Sequence, residues 1–193
     1  MNAADNTRLN HNMAYFGSNA DICRALGCSN DKIIKYSELA NYTSLLQLLP
    51  NSFDYMIILI ENNKNSGYWV CLIRQDKILE CFNSYGVTID SEFRYIPDWV
   101  EKWLHEDTRY LTRLIKSTPD DMTVISNRVK FQENHLKIAT CSRWVVFRIE
   151  MARMGHSLEQ FAAIVKSIEN RYEKPGDQLV VGWVPYLHDR YRK

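Results

Sequence analysis

The chain has 193 residues, 46% hydrophobic and 24% charged, with a formal net charge of +1, which is typical of one globular domain with a sizeable core. The near-neutral charge argues against nucleic acid as a partner, and no apolar stretch approaches the roughly 20 residues that span a membrane. Five cysteines without a two-residue-spaced pair favour a reducing intracellular environment and predict no metal site. We expect no cofactor.

The sequence of the first part of the chain predicts a flexible N-terminal segment followed by two helices. Residues 1–18 are predicted to be a flexible N-terminal segment without the apolar centre of a secretory signal, followed by a single domain over residues 19–193. Glycine or proline ends each apolar-periodic segment that follows. These segments predict helices at Ala20–Leu26 and Tyr36–Leu49.

The middle of the chain predicts the centre of a sheet. A dense apolar run and two segments around a polar turn indicate one buried strand and a hairpin. The three predicted strands are Tyr55–Ile60, Trp69–Ile73 and Ile78–Phe82. Further along, we predict helices at Pro97–His105 and Asp107–Ile115 and short strands at Met122–Ser126 and Arg128–Phe131.

A long helix with apolar residues on nearly every side is predicted at Cys141–Met154, and such a helix belongs in the middle of a domain. A second helix at Ser157–Arg171 and an edge strand at Val180–Val184 complete the prediction. The fold class expected from these elements is α+β. Its mixed, mainly antiparallel sheet packs on the buried helix that starts at Cys141.

Cys141 is the candidate nucleophile, because the unpaired N–H groups of a helix start favour a thiolate. A cysteine peptidase also needs an imidazole, a group that orients it, and donors for the oxyanion. Gln132, nine residues earlier, is a candidate oxyanion donor. Taken singly, a buried cysteine and a glutamine are more typical of ordinary packing.

Four segments together resemble the motifs of adenovirus-maturation-protease-like (adenain-like) viral cysteine peptidases, which have a papain-like fold. They are Gly67-Tyr68-Trp69, Phe82-Asn83-Ser84-Tyr85-Gly86, Gln132 and Thr140-Cys141-Ser142-Arg143-Trp144. The resemblance runs in order over roughly residues 36–155. It implies that residues 19–193 form a cysteine-protease-like domain, with Cys141 as nucleophile, Gln132 at the oxyanion, and Trp69, Ser142 and Trp144 at the cleft.

Three positions depart from these motifs. Tyr68 stands where the family has its catalytic His, Asn83 where it has Asp or Glu, and Ser142 where Gly follows the nucleophile. A phenol, with an ordinary pKa of about 10, is a poor general base near neutral pH. We therefore expect a viral pseudoenzyme rather than an enzyme that works by the family mechanism.

Such a protein would bind a protein or peptide in its former substrate cleft, or serve as a structural component of virion assembly. The expected partner is a viral capsid or scaffold protein or a host ubiquitin-like protein, in host cytoplasm or the virion, without nucleic acid or membrane. The alternative is an active viral peptidase that processes capsid or polyprotein precursors with a rearranged centre. His135, six residues before Cys141, is then the candidate surrogate base.

Overall fold

The computed structural model describes residues 3–15, 17–135 and 138–190, with the side chains of residues 7, 9–15, 17–135 and 138–184. The strands are β1 (Ile33–Lys35), β2 (Phe53–Asn63), β3 (Ser66–Gln75), β4 (Ile78–Phe82) and β5 (Thr123–Ser126). The helices are α1 (Ala3–Ala14), α2 (Asn19–Leu26), α3 (Leu45–Leu48), α4 (Asp98–Leu104), α5 (Tyr110–Lys116), α6 (Cys141–Arg153), α7 (Leu158–Tyr172) and α8 (Gly176–Arg190). Three 3-10 helices lie at Asn30–Lys32, Tyr36–Asn41 and Ile89–Tyr95.

The five strands form one mixed sheet in the order β1-β2-β3-β4-β5. The central pairs β2–β3 and β3–β4 are antiparallel, and the outer pairs β1–β2 and β4–β5 are parallel. The predicted α+β class and hairpin are confirmed. Because β4 ends at Phe82, opposite Cys71, the first half of β3 extends beyond it. This leaves space beside Trp69 for the start of another element.

The sheet is covered on both faces, which explains why β2 and β3 read as almost continuous apolar runs. Alternate residues of these strands face α6, among them Ile57, Leu59, Trp69 and Cys71. The residues between them face the 3-10 helices and α3–α5. The side-chain period of two therefore divides the strands between two apolar cores.

The buried helix predicted at Cys141–Met154 is confirmed as α6, which packs against β3 on one face of the sheet. A fully buried ion pair also joins it to β4. The Arg148 guanidinium donates from Nε and Nη2 to the two carboxylate oxygens of Glu80, at 2.7 and 2.6 Å. This bidentate geometry fixes the rotation of α6 relative to the sheet.

The predicted edge strand at Val180–Val184 is wrong, because this segment belongs to α8. Val180 and Val181 are both buried, and Trp183 and Val184 pack against the same core. Burial of adjacent residues and of residues three positions apart is typical of a helix, whereas a half-buried strand would bury alternate residues.

Two other predicted elements are broken by polar side chains. The helix predicted at Tyr36–Leu49 is a 3-10 turn followed by α3, because Ser44 Oγ accepts from the Gln47 N–H and starts a new helix. The strand predicted at Arg128–Phe131 is a loop. There the Asn127 side chain accepts from the Val129 N–H through Oδ1 and donates from Nδ2 to the Val129 carbonyl. These hydrogen bonds take the place of those to a strand partner.

The described part of the N-terminal segment contains α1 and is tied to the domain by backbone contacts. The Ala139 N–H donates to the Met13 carbonyl at 2.7 Å, and Arg143 Nη1 donates to the Tyr15 carbonyl at 3.2 Å. The predicted flexibility of residues 1–18 stays a prediction. Within the described residues, no helix has both the length and the apolar character needed to cross a bilayer.

Candidate functional site

Cys141 is the first residue of α6, and its side chain is buried beside the extended half of β3. Burial raises the pKa of the thiol above its ordinary value. Backbone N–H groups of Trp69 and Ser142 interact with the sulfur and oppose this shift, while the Glu92 carboxylate adds to it. The net effect keeps Cys141 as a neutral thiol at physiological pH, despite its place at a helix start.

Tyr68 lies one residue before Trp69 on β3, and its half-buried ring packs edge-on against Tyr85, with ring centroids 6.0 Å apart. The Tyr85 phenol is close enough to Cys141 and Tyr68 for their charged forms to act on it. Burial, followed by these groups, raises the pKa of Tyr85. The Tyr85 ring therefore lies near the thiol, and the Tyr68 ring packs against Tyr85.

Asn83 is buried directly after β4, where its side chain closes the turn into Tyr85. Asn83 Oδ1 accepts from the Tyr85 N–H at 3.0 Å, and Asn83 Nδ2 donates to Glu92 Oε1 at 2.6 Å. The Asn127 Nδ2 donates in turn to the Asn83 carbonyl at 2.6 Å. The position expected to carry an acid thus holds an amide that binds a second acid.

Gln132 is buried, and its amide is engaged on both sides. Its Oε1 accepts from Ser84 Oγ at 2.9 Å, while its Nε2 donates to Tyr85 Oη at 3.1 Å and to the Ile138 carbonyl at 3.5 Å. These bonds hold the loop before α6 against the turn after β4. An oxyanion role for Gln132 would require its Nε2 to exchange one of these acceptors.

The three residues predicted at the cleft are held by contacts with the N-terminal segment and the core. The Trp69 Nε1 donates to the Gly17 carbonyl at 2.9 Å, and Ser142 is buried against the same glycine. Trp144 packs in the core against Phe131, and its Nε1 donates to Asp177 Oδ1 at 3.0 Å. Their contacts support the shape of the site, and their predicted contact with a ligand stays a prediction.

The open part of the site is a cavity of about 380 Å³ that Tyr85 helps to line. We call it the tyrosine cavity. It is lined by Tyr68, Tyr85, Val87, Glu92, Tyr95, Lys130 and Asn134. Three of the seven lining residues are tyrosines, and Glu92 is the one acid.

Glu92 and Asp177 are site residues that the sequence reading missed. Glu92 lies on the 3-10 helix Ile89–Tyr95, between the buried Ile89 and Phe93, and this spacing is the signal that places it inward. Asp177 accepts from the Glu133 N–H at 2.9 Å and also from Thr140 Oγ1 and Trp144. It thereby joins α8 to both ends of the loop before Cys141.

The candidate surrogate base His135 lies on the surface side of this loop. It lines a separate cavity of about 430 Å³ with Asn10, Met13, Ala14 and Ile138. His105 is exposed at the end of α4, and His11 is exposed on α1. Among the residues whose side chains are described, no group of three or more His, Cys, Asp or Glu could hold a metal ion.

The fold and the site define an α+β domain with a cysteine at the start of a buried helix, close to Tyr85 in the wall of a tyrosine-lined cavity. No protein-family profile matches the chain. It is 31% identical over 164 residues to protein V9 of Sputnik virophage, a match that covers 84% of this chain and 90% of that protein. The chain belongs to the family of this virophage protein.

Two solved structures resemble the domain distantly. One is the central domain of a Legionella pneumophila protein, with a TM-score of 0.40 and 11% identity over 89% of this chain and 98% of that one. The other is a de-sumoylating protease, with a TM-score of 0.38 and 13% identity over 95% of this chain and 80% of that one.

Proposed function

We propose that this virophage-family protein is a catalytically impaired homologue of viral cysteine peptidases, with a papain-like fold, and that its former substrate cleft binds a polypeptide. The observation that carries the proposal is the set of groups around Cys141. The polar groups that interact with the thiol are backbone amides, the Tyr85 phenol and the Glu92 carboxyl. The described imidazole nearest in sequence, that of His135, lines a different cavity.

The direction of the pKa shifts at the site supports loss of proteolytic activity. Proteolysis by a thiol requires that the sulfur lose its proton to a neighbouring base. Here burial raises the pKa of Cys141, and burial also raises the pKa of Tyr85, so both groups keep their protons near neutral pH. Loss of the base alone lowers the rate by several orders of magnitude in other peptidases that use a triad.

Exposed aromatic side chains support retention of binding. Tyr95 lines the tyrosine cavity, and Trp99 and Trp103 follow it at four-residue spacing on α4. These three side chains are 64%, 70% and 55% exposed. Large exposed aromatics are enriched in protein–protein interfaces, where they supply most of the binding free energy. A polypeptide that enters the cavity would leave it across this surface.

The test uses a photo-crosslinking amino acid, p-benzoylphenylalanine, in place of Tyr95 at the rim of the cavity. Tyr172 on α7 is 58% exposed and serves as the matched position away from the cleft. We expect the protein substituted at Tyr95 to form a defined adduct with a virion or host polypeptide when it is co-expressed with virus proteins. The protein substituted at Tyr172 should not form it. Absence of an adduct specific to Tyr95 would contradict binding in the cleft.

A proteolysis assay on the same co-expressed proteins decides the catalytic part of the proposal. We expect no cleavage that depends on Cys141. Cleavage that disappears in Cys141→Ala would support the active peptidase with a rearranged centre. Cleavage that also disappears in His135→Ala would identify the surrogate base.

A further inference from the structure

The tyrosine cavity combines an acid with aromatic walls. Glu92 is only 4% exposed, yet it is one of the residues that line the cavity. Tyr68 and Tyr85 form adjoining walls at an interplanar angle of 83°, and Tyr95 forms a third. A volume of about 380 Å³ lies in the range of about 300–1,000 Å³ that is usual for ligand pockets.

The negative charge of the buried Glu92 carboxylate is only partly balanced by neighbouring groups. Its hydrogen bond within the described part of the chain comes from Asn83 Nδ2, a neutral donor, at 2.6 Å. Burial raises the pKa of Glu92, and the Asn83 bond and the Arg94 charge oppose that shift without cancelling it. A carboxylate that is taken out of water without a cationic partner is costly, so a cation in the cavity would stabilise it.

The cations of the chain near the cavity are engaged at its rim. Lys130 Nζ contacts Glu133 Oε2 at 2.5 Å, and the Arg94 guanidinium lies over the Tyr95 ring at 5.6 Å from its centroid. The second contact shows that a tyrosine of this cavity already accepts a cation on its face. The interior of the cavity, between Tyr68, Tyr85 and Glu92, therefore offers aromatic faces and a carboxyl that would attract a positively charged group of a ligand.

We infer that the tyrosine cavity binds a cationic side chain, that of a lysine or an arginine, presented by a polypeptide in the cleft. This inference rests on the proposed function, because the cleft must hold a polypeptide. The ammonium or guanidinium group pairs with Glu92 at the floor of the cavity. The aliphatic part of the side chain packs between the tyrosine rings.

Binding should strengthen as pH rises through the titration of Glu92, because the cation pairs with the carboxylate form. The groups that face Glu92 are Asn83 after β4, Tyr85 in the same turn, Arg94 on its own 3-10 helix and Cys141 on α6. Lys130 lines the same cavity from the loop after β5. Of these, Arg94 and Lys130 are the basic side chains.

The test titrates the full-length protein with three small probes and follows backbone amide shifts at Gly86 and Val87 by NMR. The probes are N-acetyl-lysine methylamide, N-acetyl-arginine methylamide and the neutral N-acetyl-norleucine methylamide. We expect the two cationic probes to shift these amides and the norleucine probe to leave them in place. Equal binding of the norleucine probe would overturn the inference.

Variants identify the groups responsible. Glu92→Gln keeps an acceptor for Asn83 and should weaken the cationic probes about tenfold, the loss expected for one charge-assisted contact. Glu159→Gln, an exposed charge change on α7, should leave their affinity unchanged. Tyr95→Ala alters an exposed wall with little risk to folding and should weaken the probes several-fold. Unchanged affinity in both cavity variants would overturn the inference.

The outcome is separable from that of the proposed function. A crosslink at Tyr95 whose yield is unaffected by Glu92→Gln would leave polypeptide binding in place and overturn only the preference for a cation. Cationic probes that bind in a Glu92-dependent manner without a polypeptide adduct at Tyr95 would overturn the proposed function and support the cavity chemistry.

Discussion

Asn83 donates its side-chain amide to the Glu92 carboxyl at 2.6 Å, deep in the wall of the tyrosine cavity. The position that corresponds to the acid in the adenain-like motifs is thereby a donor to a different acid, supplied by a 3-10 helix. The two residues are complementary in this arrangement. Restoring the expected acid at Asn83 would place two carboxyls in contact.

Asn83→Asp is therefore expected to destabilise the protein more at alkaline than at acidic pH. Two carboxyls in one buried site retain a proton between them, so the apparent pKa of the pair is raised in the folded state. The free energy of unfolding then falls as pH rises above the ordinary carboxyl range of about 4. We expect a loss of roughly 1–3 kcal/mol at about pH 8 relative to about pH 5, measured by urea unfolding. Combining Asn83→Asp with Glu92→Gln should remove the additional pH dependence that Asn83→Asp introduces, and persistence of that addition would contradict the shared proton.

The Cys141 thiol is expected to react slowly with iodoacetamide at neutral pH. Burial both raises its pKa and limits access, whereas Cys28 is half-buried and provides an internal reference. Because the thiolate is the reacting species, the labelling rate of Cys141 should still be rising above about pH 8.5. Peptide mass spectrometry after labelling from about pH 6 to about pH 9 measures both sites. A Cys141 that labels faster than Cys28 at neutral pH would indicate an activated nucleophile.

Tyr68→His tests whether the cleft still accepts a base. An imidazole at this position stands next to the Trp69 amide that contacts the sulfur, and an imidazolium there would lower the thiol pKa. A pKa lower by one unit raises the thiolate fraction, and hence the labelling rate of Cys141, by about tenfold. Tyr68→Phe is the matched control, since it removes the hydroxyl without adding a base. Equal rates in the two variants would mean that the imidazole does not reach the thiol.

Gly17→Ala should destabilise the protein because of its contact with Ser142. A Cβ on Gly17 would lie 2.4 Å from Ser142 Oγ and 2.8 Å from Ser142 Cβ. Overpacking of this kind costs about 1–3 kcal/mol, which thermal or urea unfolding resolves. Adding Ser142→Gly, the residue that the resemblance places after the nucleophile, should restore most of the loss.

Gly182→Ala is the matched control for this substitution. Within the described part of the chain, and apart from the helix's own backbone, an added Cβ there has no heavy atom within 4 Å, and the residue lies within α8. It should stabilise the protein by about 0.5–1 kcal/mol. A Gly17→Ala protein as stable as the wild type would contradict the close packing.

Glu106 should make the stability of the protein depend on pH. Burial raises its pKa to about 8, and the Glu61 and Glu101 carboxylates contribute, although the Glu61 N–H donates to it at 3.2 Å. The folded state therefore keeps a proton that the unfolded chain releases near pH 4.5. The free energy of unfolding should fall as pH rises from about 4.5 to about 8. Glu106→Gln should flatten this decline in unfolding experiments across that range, whereas Glu159→Gln should preserve it.

The secondary structure that forms the site was predictable where the apolar residues of a segment follow a single pattern. Strands β2–β4 and helix α6 have dense apolar patterns, and the predicted boundaries of α6 agree with the structure to one residue. The strand prediction for the Val-rich segment of α8 was wrong because the composition of this segment favours strands, whereas its buried positions follow a helix. Polar side chains at Ser44 and Asn127 ended elements that the apolar pattern alone would have continued.

The candidate site was predictable only in part, for a physical reason. Motif order identified the segments that carry Tyr68, Asn83 and Cys141. It gave no information on Glu92, because a single acid in a 3-10 turn has no motif. The partner of Asn83 depends on how that turn docks, which is a tertiary property and is not encoded in local spacing.

The contacts of Met13, Tyr15 and Gly17 with the rest of the domain determine when the site is completed. Trp69 contacts Gly17 across 52 positions, and Arg143 contacts Tyr15 across 128. During translation Tyr15 and Gly17 are synthesised before their partners, and the Arg143 contact cannot form until α6 has been made. Nascent chains interrupted before α6 would therefore carry an undocked leading helix. Contacts of such long sequence separation also form slowly in refolding.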